Sequence, residues 1–333
     1  MEPLKHAGAS NVPAEASGSE VSGQATSAFE DGPKCVQPAE STVDQAAKAL
    51  IVRGISHGDA GETNLAIEDF SACIQLPQAP PELVAKALFN RAVTYELSGA
   101  ATLALQDYTN CIQLPGAPRE VVADALFSRA FVFGETADSA RELADYTAYI
   151  KHPGAIPEQT AQALVNRGVI YGRAGKTTRA IKDYTACIQL PGAPAAQVAQ
   201  AFLNRGNVYG RLGKVKRAIA DYTACIQLPG APAEQVGVAL FNRGARHEGS
   251  GETSLALDDY SACIDLPDAP VEEVVKALGM RGSIFRILGL LSEADDEWAS
   301  ARRLVDQHQL EESAKQLDRI IEYAIEDDDE KTE

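Results

Sequence analysis

Apolar residues recur at helical spacing along most of the chain, in paired segments separated by glycine or proline. Between Glu158 and Gly175, the residues Ala161, Leu164, Gly168 and Tyr171 fall on one face of a helix that stops at the glycine. From Thr177 to Leu190, Ala180, Ile181, Tyr184, Cys187 and Ile188 form a second such face. Pro191-Gly192 breaks it, because proline offers no amide hydrogen and its ring clashes with the preceding turn. Pro194 then marks the next helix start, since the amide hydrogen it lacks is one that a first helical turn leaves unpaired anyway. Neither helix can bury its apolar face alone, so the pattern predicts a helical hairpin.

The hairpin is repeated. Arg53, Arg91, Arg129, Arg167, Arg205, Arg243 and Arg281 stand 38 residues apart, each from the next. Pro77, Pro115, Pro153, Pro191, Pro229 and Pro267 keep the same period, as do Phe70, Tyr108, Tyr146, Tyr184, Tyr222, Tyr260 and Trp298. With no insertions, each unit is expected to make the same contacts with its neighbours. The organisation read from this is a tail over residues 1–42, seven tandem units over 43–309, a capping helix over 310–326 and an acidic tail over 327–333. The tail is poor in large apolar side chains and rich in Ala, Ser, Gly, Glu and Pro, so it buries too little surface to offset the entropy of ordering. In the capping helix Leu310, Ala314, Leu317, Ile321 and Ile325 make one apolar face, while Arg319 and Tyr323 stay on the 38-residue register. It reads as half of an eighth unit with a polar outer face.

These residues resemble the tetratricopeptide repeat. In the fourth unit Leu164 holds the family's large apolar place, Gly168 its glycine, Tyr171 its tyrosine, Ala180 its small residue, Tyr184 its aromatic and Pro191 its proline. Arg167 stands where the family usually has leucine, and the unit is four residues longer than the usual 34, the surplus falling at the start of the first helix and in the loop before it. The third unit departs most, with Glu142 in the small place and Tyr149 where other units have cysteine, so local repacking is expected there. The resemblance covers about residues 43–325 and implies an all-α fold, an α-solenoid or right-handed superhelix of tandem hairpins. Gly54, Gly168, Gly206, Gly244 and Gly282 are expected to let helices approach closely, Ala92 and Ala130 less well. Arg167 is expected to pair with Asp183, and the same pairing recurs from Arg53 with Asp69 to Arg281 with Glu297.

Charge narrows the function. The chain carries 47 acidic against 30 basic residues, a formal charge of −17, which disfavours general affinity for nucleic acid or anionic membranes. No apolar run approaches the roughly 18 residues of a spanning helix, and the first residues lack a signal-peptide apolar core. A soluble, cytoplasmic protein is the expectation.

Catalytic chemistry finds no footing. Cys73, Cys111, Cys187, Cys225 and Cys263 share one place on the buried face of the second helix, set about 8–10 Å or more apart by helix packing, and read as small hydrophobes. Cys35 is the one thiol placed in the tail. Gly175-Lys176-Thr177 resembles the end of a phosphate-binding loop, yet Ile170 stands where that loop needs glycine and no strand precedes it. His57 and His247 replace tyrosine in the core series, while His6, His152 and His308 are scattered, so no nucleophile and base can be assembled. No enzyme activity, cofactor or metal is expected.

The first helix has a second face, opposite its glycine and tyrosine, which in the resembling family lines a concave groove. It reads Gln162, Asn166, Val169, Arg173 in the fourth unit and Gln200, Asn204, Asn207, Arg211 in the fifth. Asn90 and Asn242 extend the row of amides, and Lys86 stands one turn before Asn90. Amides hydrogen-bond the backbone of an extended peptide without reading its sequence. Asparagine that supports the repeat itself gives the same pattern. From Glu158 to Pro229 there are ten Lys or Arg against Glu158, Asp183 and Asp221, a basic centre suited to an acidic segment or a carboxylate terminus. Phe89, Val165 and Leu203 occupy the place where some relatives put the first lysine of a carboxylate clamp, which argues against that specificity. The expected role is a scaffold or adaptor binding a protein or peptide. RNA or another polyanion on the basic centre is the alternative, opposed by net charge and by the lack of exposed aromatics for stacking.

Overall fold

A computed structural model describes residues 42–332, with side chains to Glu326. Apart from Thr42, the expected tail lies outside the described residues, as does Cys35. Fifteen helices and no strand are found among the described residues. The first helices of the units are α1 (Thr42–Asp59), α3 (Pro81–Leu97), α5 (Arg119–Glu135), α7 (Pro157–Arg173), α9 (Ala195–Arg211), α11 (Ala233–Glu248) and α13 (Val271–Ile287). Their partners are α2 (Thr63–Gln75), α4 (Ala101–Gln113), α6 (Ser139–Ile150), α8 (Thr177–Ile188), α10 (Val215–Ile226), α12 (Thr253–Ile264) and α14 (Leu291–His308). The last helix, α15 (Glu311–Thr332), runs on through the acidic residues expected to form a tail. No helix among the described residues is long and apolar enough to cross a membrane.

The turns explain the helix ends. Each first helix stops at a residue with left-handed backbone, as at Gly175 (φ 70°), where the amide of Lys176 donates back to the carbonyl of Tyr171 at 2.8 Å. After the second helix, Gly192 (φ 79°) turns the chain in Pro-Gly-Ala-Pro. Pro194 caps α9 rather than occupying its first turn, whereas Pro157 lies in the first turn of α7.

Packing follows the repeat. Ala180, Tyr184 and Cys187 on α8, and their equivalents Ala218, Tyr222 and Cys225 on α10, are 0–2% exposed, so the second helix supplies the interior of each hairpin. The periodic glycines Gly54, Gly168, Gly206, Gly244 and Gly282 make room for these rings. A methyl group at Gly168 would sit 2.5 Å from the ring of Tyr184, and one at Gly282 would sit 2.5 Å from Trp298. Burial pushes the thiols of Cys111, Cys187, Cys225 and Cys263 up to about 12. They are protonated at neutral pH, consistent with their reading as small core residues.

Neighbouring units touch unequally on their two sides. First helices pack on first helices, α1 on α3, α3 on α5, α7 on α9, α9 on α11 and α11 on α13, while second helices make no comparable contacts with one another. A stack that is closer on one side bends toward that side. The first-helix face is therefore the inner face of the array. The backbones of α5 and α7 approach less closely than the others in this row, although Gln159 on α7 donates to Asp124 on α5 at 3.4 Å and Ala163 shares a buried cluster with Ala123, Leu126 and Phe127.

Candidate functional site

The inner face rests on a set of clamps. Each first-helix arginine reaches the carboxylate of its own second helix, with Arg167 to Asp183 at 2.7–2.8 Å through two nitrogens and Arg205 to Asp221 at 2.7–2.9 Å. The expected ion pairs form in every unit. A third bond was not anticipated. The remaining guanidinium nitrogen donates to a hydroxyl on the preceding unit's second helix, Arg129 to Thr109 at 2.8 Å, Arg205 to Thr185 at 2.8 Å and Arg243 to Thr223 at 2.9 Å. Thr185 gives its own hydrogen to the carbonyl of Ile181 at 2.7 Å, which leaves its oxygen as an acceptor for arginine. The signal was present, since Ser71, Thr109, Thr147, Thr185, Thr223 and Ser261 keep the 38-residue period, but only the structure places them beside the next unit's arginine. From Arg91 onward these arginines therefore tie one hairpin to the next, with their donors engaged inside the protein.

The amide row is largely joined up within the protein. Gln162 donates to Asn166 at 2.9 Å, Asn166 donates to the hydroxyl of Tyr146 at 2.9 Å, and Gln197 donates to Gln162 at 3.3 Å. In the next unit Gln200 donates to Asn204 at 3.2 Å. Asn207 accepts from the Tyr222 hydroxyl at 2.7 Å and from Asn242 at 3.4 Å. Each amide keeps further donors or acceptors, so the row is an ordered polar surface rather than a set of free groups. Lys86 pairs with Glu82 at 2.7 Å on its own helix, two units away from Gln162. Asn90 lies beside it in the second unit.

Exposed cations lie along the same region. Arg173 and Arg211 end α7 and α9, Lys176 and Lys214 precede α8 and α10, and all four are exposed. Arg179 lies over the ring of Tyr171 at 5.5 Å, and Arg217 over Tyr209 at 5.6 Å. Burial pushes the Tyr184 phenol up to about 12, opposed by the positive charge of Arg211 and Arg173. Tyr222 is likewise pushed up to about 12, opposed by Arg246 and Arg211. Arg246 was missed from the sequence because its place in the repeat holds Val208 and Ile170 elsewhere, so it has no periodic signature. It extends the line of positive charge to α11, its guanidinium reaching back over Gly210 on α9. Two half-buried carboxyl groups lie next to these cations. Glu142 and Glu248 are both raised by burial, Glu142 in the field of Arg173 and Glu248 hydrogen-bonded by Tyr260 at 2.6 Å.

An inner face built from stacked hairpins defines the class, a helical-repeat protein. Residues 161–193 and 199–231, in the fourth and fifth units, match the tetratricopeptide repeat family. No curated protein matches the chain. Among solved structures, the C-terminal part of a tetratricopeptide repeat-containing protein from Cytophaga hutchinsonii is 16% identical with a TM-score of 0.59, over 78% of this chain and 94% of that one. A tetratricopeptide repeat protein from Parabacteroides merdae is 18% identical with a TM-score of 0.52, over 83% and 99%. The family match covers the fourth and fifth units, and the other units repeat the same helical hairpin at the same 38-residue period.

Proposed function

We propose that the protein is a non-catalytic interaction scaffold that holds a peptide or protein segment along its inner face, centred on the fourth and fifth units. The observation that carries this is the line of Arg173, Arg211 and Arg246 set beside an ordered row of amides, with the half-buried Glu142 and Glu248 next to it. Amides already fixed by intramolecular bonds lose little entropy when they accept a peptide backbone, so the surface is preorganised. The cations favour an acidic segment and speed its encounter in a chain that otherwise repels acids. Many modest contacts over an extended surface supply the affinity. Repeats of this type are typically non-catalytic scaffolds, in keeping with this role.

The test compares the wild type with an Arg173→Glu, Arg211→Glu variant in pull-downs from native lysate, with circular dichroism confirming that both are folded. Both side chains are exposed, so the fold tolerates the exchange. A protein enriched by the wild type and lost by the variant supports the reading. Equal enrichment by both chains moves the site off this face, and recovery abolished by nuclease replaces a protein partner with RNA.

A further inference from the structure

The inner face changes character toward its C-terminal end. At the places held by Asn166 and Arg173 in the fourth unit and by Asn204 and Arg211 in the fifth, the seventh unit has Met280 and Ile287. These two side chains, with Ile320 and Tyr323 of α15, wall a cleft of about 260 Å³. Glu248 and Arg319 stand at its polar edges. Ile287 is 58% exposed and Tyr323 73% exposed, so apolar surface lies open beside the cleft rather than being sealed by the cap. The capping helix explains the opening. Ile320 stands where a repeat glycine admits the aromatic ring of a second helix, and α15 continues to Thr332 without the turn that would start one.

We infer that this cleft is the anchor pocket for one large apolar side chain of a segment whose acidic residues lie on Arg173, Arg211 and Arg246. This deepens the proposed function and rests on it. The cleft alone would select any apolar group; charge complementarity farther along the same face specifies the segment that carries it. Successive first helices pack at about 8–10 Å. The cleft between α13 and α15 is therefore roughly 20 Å from Arg211, or about six residues of extended chain. The partner motif is an acidic cluster and, about six residues away, a leucine, methionine or phenylalanine.

Fluorescein-labelled synthetic peptides test it by anisotropy: four aspartates alone, four aspartates with leucine six residues away in either chain direction, and the same composition with leucine adjacent. The expected result is that one six-residue peptide binds at least tenfold more tightly than aspartates alone. Ile287→Glu should reduce that peptide to the aspartate-only affinity and leave the aspartate-only peptide unchanged. Equal affinities with and without leucine, or no effect of Ile287→Glu, overturn the anchor pocket while leaving the groove in place. Binding insensitive to Arg173→Glu, Arg211→Glu, or no binding by any peptide, overturns the groove reading itself. Sedimentation of wild type and Ile287→Glu completes the set: a dimer dispersed by the substitution assigns the cleft to a second copy and overturns the peptide assignment.

Discussion

The interface between the fourth and fifth units and the one between the third and fourth are built from the same repeat and differ in quality. In the first, the contacts keep to the repeat. Gly192 turns the linker with left-handed backbone, Gln197 donates to Gln162 at 3.3 Å, and Arg205 bridges Asp221 and Thr185. In the second, larger or polar residues have entered. Tyr149 replaces the core cysteine, accepting the amide of Ile156 at 3.1 Å and donating to Gln159 at 2.9 Å, while Phe127 packs edge-on at 5.3 Å. Glu142 occupies the interior place of alanine, beside Gly134. Ala137 takes a left-handed turn (φ 58°) that glycine takes in other units. Gly154, in the same linker place as Gly192, is approached more tightly, since a methyl group there would lie 2.6 Å from the Arg119 carbonyl oxygen. The outcome is a wider backbone approach between α5 and α7 than between the other neighbouring first helices. Identical clamps are thus compatible with an uneven spine, because volume at a few interior places sets how closely hairpins approach.

The largest expected effect breaks a clamp in the regular region. Asp183→Ala leaves the Arg167 guanidinium, 14% exposed, without its carboxylate, and should cost about 3–5 kcal/mol in urea denaturation. Asp69→Ala should cost far less, because Arg53 in the first unit is 63% exposed and water takes over its solvation. Equal losses at the two sites would refute the view that burial sets the clamp's value.

Next in size is Tyr149→Cys, which restores the regular residue in the irregular unit. It should destabilise by about 3 kcal/mol, since the ring is fully buried and its hydroxyl satisfies the Ile156 amide. A neutral result would show that the seam relaxes to the regular geometry, which hydrogen exchange on α7 would register as increased protection.

Glu142→Ala should act in the opposite direction. Burial raises the Glu142 carboxyl above its ordinary range, with Arg173 pulling the other way. A carboxyl with a higher pKa folded than unfolded holds its proton more tightly in the native state. Its contribution is therefore full below the unfolded pKa and is lost as pH rises through the folded one. The substitution should raise stability by roughly 1 kcal/mol at pH 7. In thermal melts that gain should shrink as the pH is lowered toward about 4, the ordinary range of a glutamate. Smallest is Ala137→Gly, expected to stabilise by about 0.5 kcal/mol as relief of the left-handed alanine outweighs the added freedom of the unfolded chain. Gly175→Ala at the equivalent turn should destabilise by a similar amount.

Much of this is legible in the residues alone. Arg167 and Asp183 lie 16 residues apart in each copy, and a hairpin of two helices joined by a short turn brings such positions together, so the clamp could be read directly. The irregularity of the third unit was also visible in Glu142 and Tyr149. Arg246 was not visible, because a residue outside the period has no register to place it. The amide row was located by helical spacing, but whether its members face a partner or one another depends on the distance between hairpins.

The sequence by itself determined the unit, its length, its two helices, its turns and the residues that face inward. Those features depend on neighbours a few to sixteen residues away along the chain, and repetition made each of them readable several times over. Only the tertiary structure decided which side of the stack is inner, that threonine completes the arginine clamp between units, that the backbones of α5 and α7 approach less closely than those of their neighbours, and that the inner face ends in an apolar cleft. Each of these depends on the approach of one hairpin to the next, which is the sum of many side-chain volumes and has no local signature.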